Sequence, residues 1–352
     1  MTESSKAPGR ANLERVAALA GVSRSTVSRV VNGWASVDPE LRARVERSIA
    51  ELGYVPNQAA RTLVTQRTET VALVVSEPDE RIFGDPFFGG IVRGVSQGLI
   101  DAGLQMVLLM AQSQRDLDRI EKSLRAAPPD GVLLISEHAG YDPLPAAMIQ
   151  AGVPLIIGGR PLQPGLAIGY VDNDNVAGAL LAVEHLLARG CAVIGTITGP
   201  QDMSAGVDRL AGFAAGLGRA FRADRVEGGD FTQLSGEIAV GRLLGRAPDL
   251  DGLFVASDLM ALGAMSALRR AGRRVPEDVA VVGFDDIALA ALADPPLTTI
   301  RQQPILQGRA MVHLLLATAR PDLAAPRADD LPDPQGSDHL VLPVHLVVRE
   351  SS

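Results

Sequence analysis

Cysteine is almost absent from this chain of 352 residues: Cys191 stands alone. No disulfide can form within the chain, and no thiolate metal site can be assembled from it. No apolar run reaches the roughly 20 residues that span a bilayer. The opening MTESSKAPGR lacks the apolar segment of a secretory leader. Enzyme signatures are missing too, with no GxGxxG behind a strand, no GxxxxGK[ST] and no GxSxG. The five histidines (His138, His185, His313, His339 and His345) show no paired spacing for a metal. These absences predict a soluble, cytoplasmic chain with no cofactor and no metal, and they leave an α/β enzyme without positive support.

A hydrophobic content of 47% with 21% charged residues describes a globular protein long enough for two or three domains. The net charge of −8 argues against a nucleic-acid partner, but its distribution argues for one. Residues 1–68 carry ten Lys/Arg against six Asp/Glu, a net +4, so the remainder carries −12. A basic head on an acidic body is expected where one small module meets phosphate and the rest avoids it.

The first 55 or so residues pattern as short helices. Asn12–Leu19 forms one, with Leu13, Val16, Ala17 and Leu19 on its apolar side. Gly21 supplies a positive φ for the turn, and Ser23 caps a second helix running to Val31. Thr26, Val27, Val30 and Val31 share one side of that helix, and Arg24, Ser25, Ser28 and Arg29 share the other. Such a helix buries valines and offers arginines and serines to a major groove. The competing reading is an amphipathic hairpin with a solvated charged face. Asp38-Pro39 opens a third helix that runs to Leu52.

From Thr70 the texture changes to apolar runs alternating with amphipathic stretches. The runs are Val71–Val75, Met106–Met110, Gly131–Ile135, Pro154–Ile157, Ala167–Val171, Ala192–Thr198, Gly252–Ala256 and Val279–Gly283. Helical patterns such as Phe88–Ala102, Val176–Ala188, Ala205–Ala220 and Met260–Ala271 separate them. This alternation predicts an α/β core with parallel sheets, split into two doubly wound subdomains. The expected organisation is a headpiece over 1–56, a hinge over 57–69 and a core over 70–352. Within the core, one subdomain takes about 70–168 plus 302–328, and the other about 170–300 plus 330–352. Residues 321–339 are rich in Pro and Asp and predict an exposed loop, followed by a final strand over Leu340–Val348.

LERVAALAGVSRSTVSRVVNG and VDPELRARVERSIAELGYVPNQAARTL resemble the DNA-binding domain and hinge of the LacI family, nearly continuously over 12–64. The resemblance implies a dimeric regulator on pseudo-palindromic operator DNA. It places base readers at Arg24, Ser25 and Arg29, with further DNA contacts at Ser23, Thr26, Ser28 and Asn32. In the hinge it implies a short helix capped by Asn57 and passing through Ala60, with Leu63 wedged between bases in the minor groove. A helix of two turns is marginal alone.

The segments DPFFGGIVRGV, IIGGRPL, VDNDNVAGALLAVEHLLARG, GPQDMSAGVDRLAGF, VASDLMALG, VPEDVAVVGFDD and LTTIRQ resemble the effector domain of the same family, itself similar to periplasmic sugar-binding proteins. Ligands of open α/β sheets sit beyond the carboxyl ends of strands. The resemblance accordingly implies effector contacts at Asp85, Phe87, Phe88 and Arg160 in the first subdomain. In the second it implies Met203, Arg209, Phe231, Ser257 and Asp285. Carboxylates and guanidinium groups suit vicinal hydroxyls, and an aromatic face suits a pyranose. Phe87 and Phe88 suit a core equally well, and Asp174 suits the cap of the helix starting at Asn175. Met203 replaces the arginine of purine-sensing members, and Gly159 replaces the aspartate usual before the cleft arginine. EPDERIFGDPFF with ITGPQDM is most similar to actinobacterial repressors that answer cellulose- or other glucan-derived oligosaccharides. The expected partners are operator DNA, a sugar effector and a second copy of the chain, with no membrane. A transport-type sugar-binding protein or an activator with the same core remains the alternative. The ending VRESS has no leucine heptads of the kind that make tetramers, so a homodimer is expected.

Overall fold

The computed structural model describes residues 11–31, 34, 36–55, 67–140, 142–163, 165, 168–323, 331 and 339–352. They fall into two compact units divided at Thr68 and Glu69.

The first unit holds α1 (Leu13–Ala20), α2 (Arg24–Val31) and α3 (Pro39–Leu52). Each start has a named cap. Asn12 accepts from the Arg15 N–H, and Ser23 Oγ accepts from the Thr26 N–H at 3.1 Å. Asp38 accepts from the N–H groups of Glu40 and Leu41, ahead of Pro39. Gly21 closes α1 at φ 61°, where a side chain would be strained and would press on Arg44. Val16, Ala17, Ala20, Val27, Val30, Val45 and Tyr54 form the small core.

The second unit is two doubly wound lobes. The first lobe contains β1 (Thr70–Val75), α4 (Asp79–Gly84), α5 (Pro86–Asp101), β2 (Gln105–Met110), α6 (Gln114–Ala126), β3 (Gly131–Ile135), α7 (Leu144–Ala151), β4 (Leu155–Gly158) and β5 (Gly169–Asn173). The second lobe contains α8 (Asn175–Ala188), β6 (Ile194–Thr198), α9 (Ser204–Leu217), β7 (Val226–Gly228), α10 (Gln233–Arg246), β8 (Gly252–Val255), α11 (Asp258–Arg270), β9 (Ala280–Asp285), α12 (Ala288–Leu292) and β10 (Thr298–Arg301). The chain then returns to the first lobe as α13 (Pro304–Ala319). It ends with β11 (His339–Leu342) in the first sheet and β12 (His345–Val347) in the second.

The strand orders are β11-β5-β4-β3-β1-β2 and β12-β10-β9-β8-β6-β7. All described pairings are parallel except β10 with β12. Strands covered on both faces can be apolar throughout, which is why β1, β3 and β8 are near-continuous Val/Leu/Ile/Phe. In the first lobe α5 and α13 approach through Gly94 and Gly308, where a Cβ would collide with backbone of the facing helix.

Two sequence expectations are corrected here. The lobe boundary lies beyond Asn173 rather than near residue 168, because Gly169–Asn173 pairs with β4 in the first sheet. The single terminal strand expected over Leu340–Val348 is two strands in two sheets, interrupted at Pro343. The chain therefore passes between lobes three times, after β5, after β10 and after β11. Among the described residues no helix is long and apolar enough to cross a membrane.

Candidate functional site

The carboxyl ends of both sheets face one crevice between the lobes. Its inner part is lined by the predicted Asp85, Phe87, Phe88, Arg160, Met203, Arg209, Phe231 and Asp285. Ser257 is not brought into this lining: it is buried, and its Oγ accepts from the Met260 N–H as the cap of α11. Asp174 likewise caps α8 through the Ala177 N–H.

Arg209 sits at the centre, only 5% exposed. Its Nε donates to Asn175 Oδ1 at 2.9 Å and its Nη1 to the Ala256 carbonyl, with Asp285 Oδ1 at 3.5 Å. The guanidinium lies 3.6 Å from the centre of the Phe284 ring. Gln302 Nε2 donates to the same Asp285 oxygen at 2.6 Å. Burial pushes the Arg209 pKa down and holds the Asp285 carboxyl well above the usual carboxylate range. At 3.5 Å the pair is too long to offset that desolvation.

Other groups point the same way. Glu137 Oε1 and Asn173 Oδ1, both on residues lining the crevice, are buried without a hydrogen-bond partner. Burial raises the Glu137 carboxyl, and it pushes Asp172 up to about 6. Ser136, Phe231 and Asp285 line the crevice with positive φ, as does Gly159 at 112°. Strained backbone of this kind is held where function requires it. Asp172 has a buried carboxylate that accepts from the Arg160 and Asn173 N–H groups and from Asn175.

Arg160 reaches across the crevice to Asp208 of α9, in a bidentate pair at 2.6 and 3.2 Å. Arg160 lines the crevice, and sequence reasoning missed this partner. It also missed Arg81, Glu137, Asp172, Asn173 and Gln302. Four of these stand at or directly behind the end of a strand, which the strand-end rule could have flagged. Arg81 stands instead on α4, a short helix that no apolar periodicity announces.

In the first unit α2 presents Arg24, Ser25 and Arg29 to solvent, with Ser28 half-buried. Ser23 Oγ lies 2.8 Å from both Ser25 Oγ and Thr26 Oγ1, so these hydroxyls are joined in the helix cap. Arg24 contacts Glu14 at 3.6 Å, and the Arg29 guanidinium lies 5.8 Å from the Trp34 ring centre. Exposed contacts of this type are weak and are readily exchanged for phosphate or base edges. Asn32, Asn57, Ala60 and Leu63 lie outside the described residues. Among those described, no group of His, Cys, Asp and Glu could hold a metal ion.

Residues 12–57 match the family "Bacterial regulatory proteins, lacI family", and residues 183–352 match the "Periplasmic binding protein-like domain". The chain is 49% identical to the HTH-type transcriptional regulator CelR of Thermobifida fusca over 346 residues, 97% of this chain and 98% of the relative. It is 33% identical to the HTH-type transcriptional repressor CytR of Escherichia coli K12, over 87% of this chain and 89% of the relative. Among solved structures, a CelR–cellobiose complex is 47% identical, with a TM-score of 0.75 over 97% of this chain and all of the other. The lac repressor dimer bound to operator and the anti-inducer ONPF is 29% identical, with a TM-score of 0.78 over 97% and 98% of the two chains.

Proposed function

This chain belongs to the lacI family of DNA-binding bacterial regulators, and on that premise we propose that it is a homodimeric repressor of carbohydrate-utilisation genes. A glucan-derived oligosaccharide, with cellobiose the first candidate, binds the crevice of the core and releases the protein from its operator. The observation that carries this reading is the buried Arg209–Asp285 pair, 3.5 Å apart at the centre of a crevice lined from both lobes.

The crevice chemistry suits a neutral polyol. Asp85, Asp285 and Glu137 accept from hydroxyls, Arg160 and Arg209 donate to ring and hydroxyl oxygens, and Phe87, Phe88, Phe231 and Met203 pack against C–H faces. The chain senses the sugar and does not turn it over. Cellobiose is suggested by the relative that is crystallised with it. On the DNA side, Arg24, Ser25 and Arg29 read base edges, Ser23, Thr26, Ser28 and Asn32 support them, and Asn57, Ala60 and Leu63 form the hinge contacts. Half-site spacing then requires two copies. Ile100 and the edge-strand residues Val107, Leu108 and Met110 leave apolar surface exposed on the first lobe, suited to cover by a second copy. The protein acts where its operator lies, in the cytoplasm.

A thermal-shift screen of mono- and oligosaccharides, followed by titration of the best ligand onto the operator complex, tests the proposal. A ligand at 100 times its Kd stabilises the fold by about 2.7 kcal/mol. No shift with any saccharide and no release of operator would refute it.

A further inference from the structure

Two chambers open off the crevice. The inner one, about 80 Å³, holds the Arg209–Asp285 pair. The outer one, about 780 Å³, lies between α4, the turn Ala111–Ser113 after β2, the loop Pro200–Asp202 after β6 and the start of α10. One water needs about 10–15 Å³ of such space and fills about 30 Å³ in the liquid, so the inner chamber holds only a few water-sized groups. That is fewer than the non-hydrogen atoms of one hexose unit. The outer chamber has room for several units.

Arg81, Asp85 and Phe231 line both chambers and form the wall between them. The Arg81 guanidinium lies 4.7 Å from the Phe231 ring centre and 5.7 Å from that of Phe88. Its Nη1 is held by Glu77 Oε1 at 2.5 Å, while its Nε is buried with no hydrogen-bond partner. An arginine clamped between two aromatic faces, with one donor unused, is a divider that a hydroxyl can engage.

Resting on the sugar reading above, we infer that the outer chamber is a further sugar subsite, continuous with the inner one past Arg81. The sensor therefore grades neutral oligosaccharides by length. The inner chamber grips the leading edge of the terminal unit, and the rest of that unit and those that follow lie in the outer chamber. There Glu77, Glu80, Asp202, Asp230, Gln112 and Gln233 face the hydroxyls, and Pro78, Leu117, Pro200 and Leu259 meet the C–H faces. Five carboxyl residues, Glu77, Glu80, Asp85, Asp202 and Asp230, against Arg81 and His138 leave this chamber negative, so phosphorylated or uronic sugars are turned away.

Calorimetry on the full chain, with β-1,4-linked glucose oligomers of two, three and four units, tests this. The trisaccharide should bind about tenfold tighter than the disaccharide, and a phosphorylated disaccharide at least tenfold weaker than the neutral one. Gln112→Trp and Gln233→Trp plug the outer chamber from two sides without touching the inner one. In both, the trisaccharide should fall back to the affinity of the disaccharide. Weakening of both lengths to one common affinity would place the second unit in the outer chamber as well. A trisaccharide no tighter than the disaccharide in the wild type overturns the subsite. So does a length gain that survives both plugs in variants melting like the wild type. If no oligomer of any length binds, the sugar reading itself fails, and the subsite with it.

Discussion

His138 of the first lobe and Asp202 of the second are joined by a hydrogen bond of 2.8 Å at the mouth of the crevice, and the Ala139 N–H donates to the Asp202 carbonyl beside it. Buried Glu77 faces the other imidazole nitrogen at 3.6 Å. Together these carboxylates raise the His138 pKa from 6.5 to about 9. Glu77 contributes most, Asp202 adds to it, and burial works against both. Glu77 outweighs the nearer Asp202 because its own charge is out of solvent, where attraction is screened less. Glu137 and Asp142 also lie within electrostatic reach of the ring.

A group whose folded pKa is raised contributes in full below its unfolded pKa and loses that contribution as pH rises through the folded value. The His138–Asp202 contact ties the lobes together, so it favours the arrangement that grips a ligand from both sides. Effector affinity should therefore hold steady up to about pH 7 and decline between about pH 7 and 9.5. In His138→Gln the decline should vanish, leaving a flat profile. Binding isotherms across that range, wild type against variant, check it. Equal slopes in both proteins would assign the pH dependence to another group.

Ser257 separates a cap from a ligand contact. Its hydroxyl accepts from the Met260 N–H at 3.3 Å inside the second lobe. Ser257→Ala should cost about 1 kcal/mol of stability and leave sugar affinity within twofold of the wild type. Thermal melting and calorimetry on one preparation read both quantities. A large loss of affinity with unchanged melting would restore Ser257 to the binding site.

The sequence made local features legible and left folded-back ones hidden. The starts of α2 and α3 follow directly from Ser23 and from Asp38-Pro39, because capping is a matter of neighbours in sequence. Strands β1, β3 and β8 are legible because burial on both faces makes them uninterrupted apolar runs. β7, only three residues long, carries no such signal, and β10 mixes threonine and arginine into its run. The terminal run divides between two sheets for a reason no periodicity contains: Leu340 and Leu342 are needed in the first core, and Val344 in the second. Of the crevice, Arg209 and Asp285 were legible through the family pattern. Arg160 was legible as a residue, but its partner Asp208 lies 48 positions away and is set by how the lobes meet. Glu137 behind β3 and Asn173 at the end of β5 read as ordinary polar residues, and only a buried oxygen without a hydrogen-bond partner, Oε1 and Oδ1 respectively, singles them out.

Arg29 tests the DNA side. It is exposed on α2, and its guanidinium packs against Trp34. Arg29→Ala should weaken operator binding by about 1–3 kcal/mol and relax base preference at one position of each half-site. The headpiece core, built from Val16, Val27, Val30 and Val45, is untouched by the change. Electrophoretic titration against operator and against each single-base variant measures both effects. Uniform weakening across all sequences would make Arg29 a phosphate contact instead.

Arg209 and Asp285 test the link between the two ends of the protein. Asp285→Asn should fold almost as well as the wild type, because burial already holds that carboxyl toward its neutral form and Gln302 can still donate to its oxygen. Arg209→Ala is harsher, removing the donor to Asn175 and the Ala256 carbonyl, and its melting temperature should fall measurably. Neither residue belongs to the first unit, so operator affinity without sugar should be unchanged in both. A ligand shifts the lobes only by its differential affinity for their two arrangements, and both variants lose the centre of that grip. Each should therefore bind operator normally and keep it at sugar concentrations that release the wild type. By linkage, operator must weaken sugar binding by the same factor that sugar weakens operator binding. In the wild type, calorimetry with and without operator should reproduce the factor found by DNA release. If Asp285→Asn and Arg209→Ala both release operator at the wild-type sugar concentration, the effector is read elsewhere than at this pair.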